Sequence, residues 1–189
     1  MLFRSVAQRM KSFETTVVAF DPFATPEGAR RIGVELASLD VLLERSDFVT
    51  IHVPLNDATR NMIGKAQIAR MKDGARLINC ARGGIVDEVA LAEAVESGKL
   101  EGAAVDVFSK EPPEADNPLL GLAQNVITPH LGASTEEAQV NVAIDIAEQI
   151  SDVLQGRSAR SAVNLPALST EELTQVSPYR SEEHTSELQ

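Results

Sequence analysis

The sequence predicts an α/β fold, a doubly wound parallel sheet with helices on both faces. Three observations predict it. Short β-branched or apolar runs at residues 16–20, 47–53, 75–79, 102–107 and 125–128 alternate with segments of helical period. Several runs stop at turn-forming residues: Asp21-Pro22, Pro54 and Gly83-Gly84. The run beginning at Ala75 reads as a buried parallel strand and leads straight into Arg82-Gly83-Gly84.

Taken in order, residues 6–13 read as the end of a helix. TVVAF at 16–20 is the first strand, closed by Asp21-Pro22. Residues 26–32 form a short helix and 34–36 a weak strand. Ser38 is placed to cap a helix over 39–45, with Asp40 at its positive end. Residues 47–53 (DFVTIHV) form a strand stopped by Pro54, and 56–63 and 65–71 read as two short helical pieces. A helix over 88–97 carries Leu91, Ala94 and Val95 on one face, with Gly98 past its end. In the strand 102–107, Asp106 interrupts an apolar run and requires a partner, a cofactor amide or a neighbouring backbone group. Residues 108–118, with three prolines, form a loop. After the last strand, Ser134 or Thr135 caps a long amphipathic helix that Gly156 ends.

Composition narrows the function. The chain has 189 residues and is 43% hydrophobic, enough for an ordinary core. Its formal net charge of -11, with 4% aromatics and no Trp, argues against nucleic acid as a partner. No apolar run approaches the roughly 20 residues of a membrane helix, so no membrane association is expected. Residues 1–5 have no signal-peptide character. One cysteine excludes an internal disulfide and suits a reducing, cytoplasmic setting. No cysteine or histidine spacing suggests a metal.

The stretch from Leu77 to Asp87 is where function concentrates. In an open α/β sheet, ligands bind beyond the carboxyl ends of the strands. Two glycines let the backbone turn sharply there, and an arginine fork matches a carboxylate. The same residues read equally as a strand–turn–helix connection with a solvated arginine. Arg82, Glu111 and His130 each follow a strand on its carboxyl side. A carboxylate beside His130 makes an acid–base pair suited to a hydroxyl proton, and Arg82 would hold a carboxylate of the same molecule. That trio fits reversible oxidation of a 2-hydroxy acid with a nicotinamide taking the hydride. Asp21, at a strand end, fits a ribose 2′-hydroxyl or is simply a turn. His52 reads as a packed side chain, and Cys80 as a small packing residue beside the ligand, not a nucleophile.

Three ordered motifs then carry a resemblance: Asn79 through Asp87 (NCARGGIVD), Asp106-Val107-Phe108 with Glu111-Pro112-Pro113, and Thr128 through Thr135 (TPHLGAST). Together they resemble the signatures of the D-isomer-specific 2-hydroxyacid dehydrogenases over residues 6–179. Phe20-Asp21-Pro22 and Ala162-Val163-Asn164-Leu165-Pro166 resemble a longer bacterial form within that family, one acting on a phosphorylated acid. The resemblance implies a Rossmann-like domain, NAD as cofactor, a small 2-hydroxy acid as substrate and a homo-oligomeric parent. It implies Arg82 as substrate arginine, Glu111 as carboxylate partner and His130 as acid–base. NAD contacts would fall on Asp21, Val53, Cys80, Ala81, Arg82, Asp106, His130, Gly132 and Ala133. Two other readings stay open: a dehydrogenase of the glyoxylate or lactate type, and a corepressor-like protein that senses NAD(H) without turnover.

The chain departs from the family pattern at its start. A G-x-G-x-x-G turn is expected just before Val6, where Leu2-Phe3-Arg4-Ser5 stand, and the strand before that turn is missing. Strands 16–20 and 47–53 are therefore expected to lose the strand that bridges them. Residues 180–189 resemble a widely used sequencing adapter translated in one frame, and Leu2 to Ser5 the end of its companion. The expected organisation is adapter-derived residues 1–5, an incomplete NAD-binding domain over 6–157, the start of a following region over 158–179, and adapter-derived residues 180–189. An inactive fragment is the expectation for the isolated chain.

Overall fold

The structure, a computed structural model, describes residues 2–132 and 134–157. Readings placed on residues 158–189 and on Ala133 lie outside the described residues. The chain divides into two compact units at Gly132.

In the first unit the elements alternate as expected: α1 (Leu2–Lys11), β1 (Val18–Ala19), α2 (Pro26–Arg31), β2 (Glu35–Leu36), α3 (Leu39–Arg45), β3 (Phe48–Ile51), α4 (Lys65–Arg70), β4 (Ala75–Asn79), α5 (Glu88–Glu96), β5 (Leu100–Val105) and β6 (Val126–Ile127). All strand pairs are parallel. The strands form two separate ladders, β1–β2 and β3–β4–β5–β6. No described strand joins β1 to β3, in line with the expected loss of a bridge.

Local chemistry explains the helices. Ser38 accepts from the Val41 N–H and Asp87 from those of Val89 and Ala90, so both helices start on capped turns. Gly98 follows α5 at φ 76°, a left-handed position that favours glycine. Residues 2–5 belong to α1, and Phe3 packs on the small cluster of Ala7, Ala19 and Val34. Residues 56–63 are not helical. The Asn56 side chain accepts from the Ala58 and Thr59 N–H groups, a local turn that competes with a helix.

One face of the four-stranded ladder supplies the main core. Val49, Ile51, Leu77, Ala103 and Val105 pack with Leu43 of α3, Ile68 of α4, Met71 just past it and Leu91 of α5. Phe48 and Val126 are exposed instead, and the Arg76 guanidinium lies 5.3 Å from the Phe48 ring centre and 2.7 Å from Glu101.

The second unit is described as α6 (Glu136–Leu154), capped by Thr135, whose side chain accepts from the Ala138 N–H. No helix among the described residues is long and apolar enough to cross a membrane.

Candidate functional site

Strand register builds one edge. Ile51, Asn79, Val105 and Ile127 are aligned across the ladder, so the chain leaves the sheet on the same side at His52, Cys80, Asp106 and Thr128. The segments bearing Arg82, Glu111 and His130 all follow from that edge.

The Arg82 turn is held from inside. Asn79, 3% exposed, accepts from the Ala81 N–H at 3.1 Å and donates to the Arg82 carbonyl at 3.1 Å. Gly83 is required by contact: a Cβ there would stand 1.8 Å from the Phe108 carbonyl oxygen. The arginine turn therefore presses directly on the start of the loop carrying Glu111. The Arg82 guanidinium is exposed and donates to the Ala81 carbonyl at 2.6 Å.

Glu111 and His130 meet. His130 Nδ1 and Glu111 Oε2 are 2.7 Å apart, and Glu111 Oε1 accepts from the Phe108 N–H at 3.0 Å. The bond to His130, then that from Phe108, holds the Glu111 carboxyl below its usual value. His130 adopts φ 57°, an unusual left-handed conformation for a side-chain-bearing residue.

Asp106 explains how that conformation is kept. The carboxylate, 4% exposed, lies just past β5 rather than within a strand. Its Oδ1 accepts from Thr128 Oγ1 at 2.5 Å and from the Leu131 N–H at 2.7 Å, and Oδ2 accepts from the Gly132 N–H at 3.0 Å. Desolvation raises its pKa, but these bonds outweigh it and leave the carboxyl below its usual value. Of the two partners the sequence allowed Asp106, the structure supplies the backbone, at Leu131 and Gly132 after His130, and adds the Thr128 hydroxyl before it.

The remaining candidates lie along the strand ends. Asp21 follows β1, exposed, with Oδ1 accepting from the Phe23 N–H at 2.9 Å. Its other oxygen keeps acceptor capacity suited to a ribose diol. Val53 and Ala81 are half-buried beside the main core. Cys80 is exposed rather than packed, because it stands past the last paired residue of β4. Partial burial, then the nearby Asp106 charge, pushes its thiol up. His52 is half-buried as expected, 3.1 Å from Thr50 Oγ1, and burial pushes its pKa down.

Two organising residues were missed as candidates. Asn79 was legible only as a polar residue ending a buried strand. Glu88 reaches from α5 to the Glu111 loop, accepting from Ser109 and Asn117. Its only sequence signal is a second acid directly after a capping Asp87. No group of His, Cys, Asp and Glu able to hold a metal occurs among the described residues.

Residues 3–132 match the family described as D-isomer specific 2-hydroxyacid dehydrogenase, NAD binding domain. The chain is 50% identical over 174 residues to the D-3-phosphoglycerate dehydrogenase of Archaeoglobus fulgidus, covering 92% of this chain and 33% of that protein. It is 48% identical to the Bacillus subtilis enzyme of the same name, again over 92% of this chain and 33% of the relative. The chain thus spans about a third of the length of these curated relatives. Among solved structures, D-lactate dehydrogenase with NAD+ from Lactobacillus jensenii is similar with a TM-score of 0.76 and 30% identity, over 86% of this chain and 52% of that one.

Proposed function

This chain belongs to the D-isomer specific 2-hydroxyacid dehydrogenase family through its NAD-binding domain, and on that premise we propose that its protein oxidises 3-phosphoglycerate to 3-phosphohydroxypyruvate with NAD. The observation that carries the chemistry is the Glu111–His130 pair, 2.7 Å apart on the carboxyl edge of a parallel sheet. The choice of acid is supported by the 48–50% identity to phosphoglycerate dehydrogenases.

In this reading His130 takes the substrate hydroxyl proton, and Glu111 orients the imidazole and stabilises the imidazolium that forms. Arg82 releases the Ala81 carbonyl and binds the substrate carboxylate with its fork. NAD, when bound, supplies a hydride acceptor. Asp21 accepts from the adenosine ribose, Val53, Cys80 and Ala81 line the strand ends beneath it, and Gly132 and His130 border the nicotinamide. Asp106 acts there chiefly by holding the His130 segment, since both its oxygens already accept hydrogen bonds. Gly132 suits a tight approach, because a Cβ there would meet Asp106 Oδ2 at 3.3 Å.

The isolated chain is a poor or inactive catalyst in this reading. Its sequence contains no G-x-G-x-x-G, the turn that places pyrophosphate on a helix start, and β1 and β3 share no described bridging strand.

The test is NADH formation by the purified chain with 3-phosphoglycerate, D-lactate and glycolate, beside the His130→Asn variant. Slow turnover, preferring 3-phosphoglycerate and lost in the variant, is expected. Preference for D-lactate or glycolate overturns the substrate assignment. Turnover at ordinary enzyme rates overturns the account of the isolated chain.

A further inference from the structure

We propose that Glu88 is a positioning residue for the Glu111–His130 pair, tying both ends of the 108–118 loop to the first turn of α5. The proposal rests on the reading of that pair as the acid–base of the reaction.

Two adjacent acids begin α5 and do different work. Asp87 accepts from the Val89 and Ala90 N–H groups, so the helix start is capped without Glu88. The Glu88 carboxylate reaches across instead. Its Oε1 accepts from the Ser109 N–H at 2.6 Å and the Ser109 hydroxyl at 2.7 Å. Its Oε2 accepts from the Asn117 side-chain amide at 2.7 Å. Ser109 and Asn117 lie either side of Glu111, so one carboxylate closes the loop at both ends.

Regular secondary structure does not fix the loop between its ends. It contains Pro112, Pro113 and Pro118, which donate no backbone N–H, and no helix or strand lies within it. Its far end is anchored where Asn117 accepts from the N–H of Leu119, a side chain with 0% exposure. Its near end rests on Gly83, and the Phe108 N–H beside Ser109 is the group that grips Glu111 Oε1. A carboxylate fixing the Ser109 N–H therefore fixes the peptide next to the one that aims Glu111.

The readout is the carboxyl titration of Glu111, followed by carbon-13 NMR in this chain. Glu111 faces His130 and the Phe108 N–H, both favouring its charged form, and Asp106, which opposes it. In Glu88→Ala the loop slackens, those bonds lengthen, and the Glu111 midpoint moves up. Glu88→Gln retains one acceptor oxygen and moves it less. Removing a nearby negative charge by itself moves a carboxyl midpoint down, so the sign separates positioning from simple charge. An unchanged or lowered midpoint in folded Glu88→Ala overturns the proposal. If that variant loses the dispersed amide spectrum of a folded chain, Ser109→Ala decides: it removes one hydroxyl donor and raises the midpoint by a smaller amount, and no rise overturns the proposal. Turnover of 3-phosphoglycerate by the unmodified chain and by His130→Asn is followed beside these. Turnover that survives His130→Asn counts against the functional reading and leaves the Glu111 result standing by itself.

Discussion

The two ladders of the first unit are built from the same kind of unit, yet they are held very differently. The β3–β6 ladder packs against a core of 20 buried residues, including Leu43, Leu77 and Leu91. The β1–β2 ladder has two aligned residue pairs and a buried cluster of Ala7, Ala19 and Val34. The Glu111–His130 pair follows from the first, and Asp21 from the second. In the proposed reading, proton chemistry is thus mounted on the better-packed part of the chain and ribose recognition on the weaker part. Parallel strands depend on neighbours on both edges, and two short strands bury little apolar area.

Substitutions should break the two regions unequally. Leu77→Ala, fully inside the main core, is expected to lower stability by about 2–5 kcal/mol in urea unfolding. Gly83→Ala forces the Arg82 turn away from Phe108, at a cost of about 1–3 kcal/mol, and disturbs the Glu111–His130 signals. Val34→Ala removes only the packing of the small cluster, about 1–2 kcal/mol. Its effect should be local: faster amide exchange at Glu35 and Ala37, which donate to Val17 and Ala19, with Arg76 and Asp106 unchanged. Equal acceleration at all four amides would show that the ladders open together.

Acid should separate the regions again, in two windows. Burial holds His52 below its usual pKa of 6.5, so the unfolded chain binds that proton more tightly. Stability is complete above about pH 6.5 and declines below it. Glu111 and Asp106 are also lowered, so their contribution persists above about pH 4 and is lost as pH falls through their native values. His52 lies 6.3 Å, ring to ring, from Phe3 of α1, so the first decline should loosen α1 and the second the sheet edge carrying Asp106 and Glu111. His52→Gln removes the first window alone in pH-dependent unfolding. The smallest effect is expected from Arg45→Ala. It breaks an exposed pair with Glu35 that links α3 to β2, and should leave the unfolding midpoint unmoved.

The same division governs what the sequence disclosed. The strands that became β3, β4 and β5, the caps Ser38 and Thr135 and the Glu111–His130 pair all rest on local pattern or short motif. Residues 56–63 misled because their apolar spacing is helical while Asn56 bonds its own backbone. Asn79, Glu88 and the double grip of Asp106 were hidden for another reason. Their partners lie elsewhere in the chain or on the backbone, and no periodicity marks a side chain that answers a distant N–H. The position of Arg82 past a strand's carboxyl end is legible in the sequence, but its side-chain direction follows from a carbonyl one residue away.

The exposed thiol past β4 has a practical consequence. Cys80 is the sole cysteine of the chain, and the chain has no tryptophan. A maleimide dye would therefore attach once, beside the proposed NAD position, against a nearly dark protein background. Because its thiol is held above the usual value, labelling would be slow at neutral pH and controllable by mild alkali. A single fluorophore at that spot would turn cofactor arrival and local fraying of the edge into two separable optical signals.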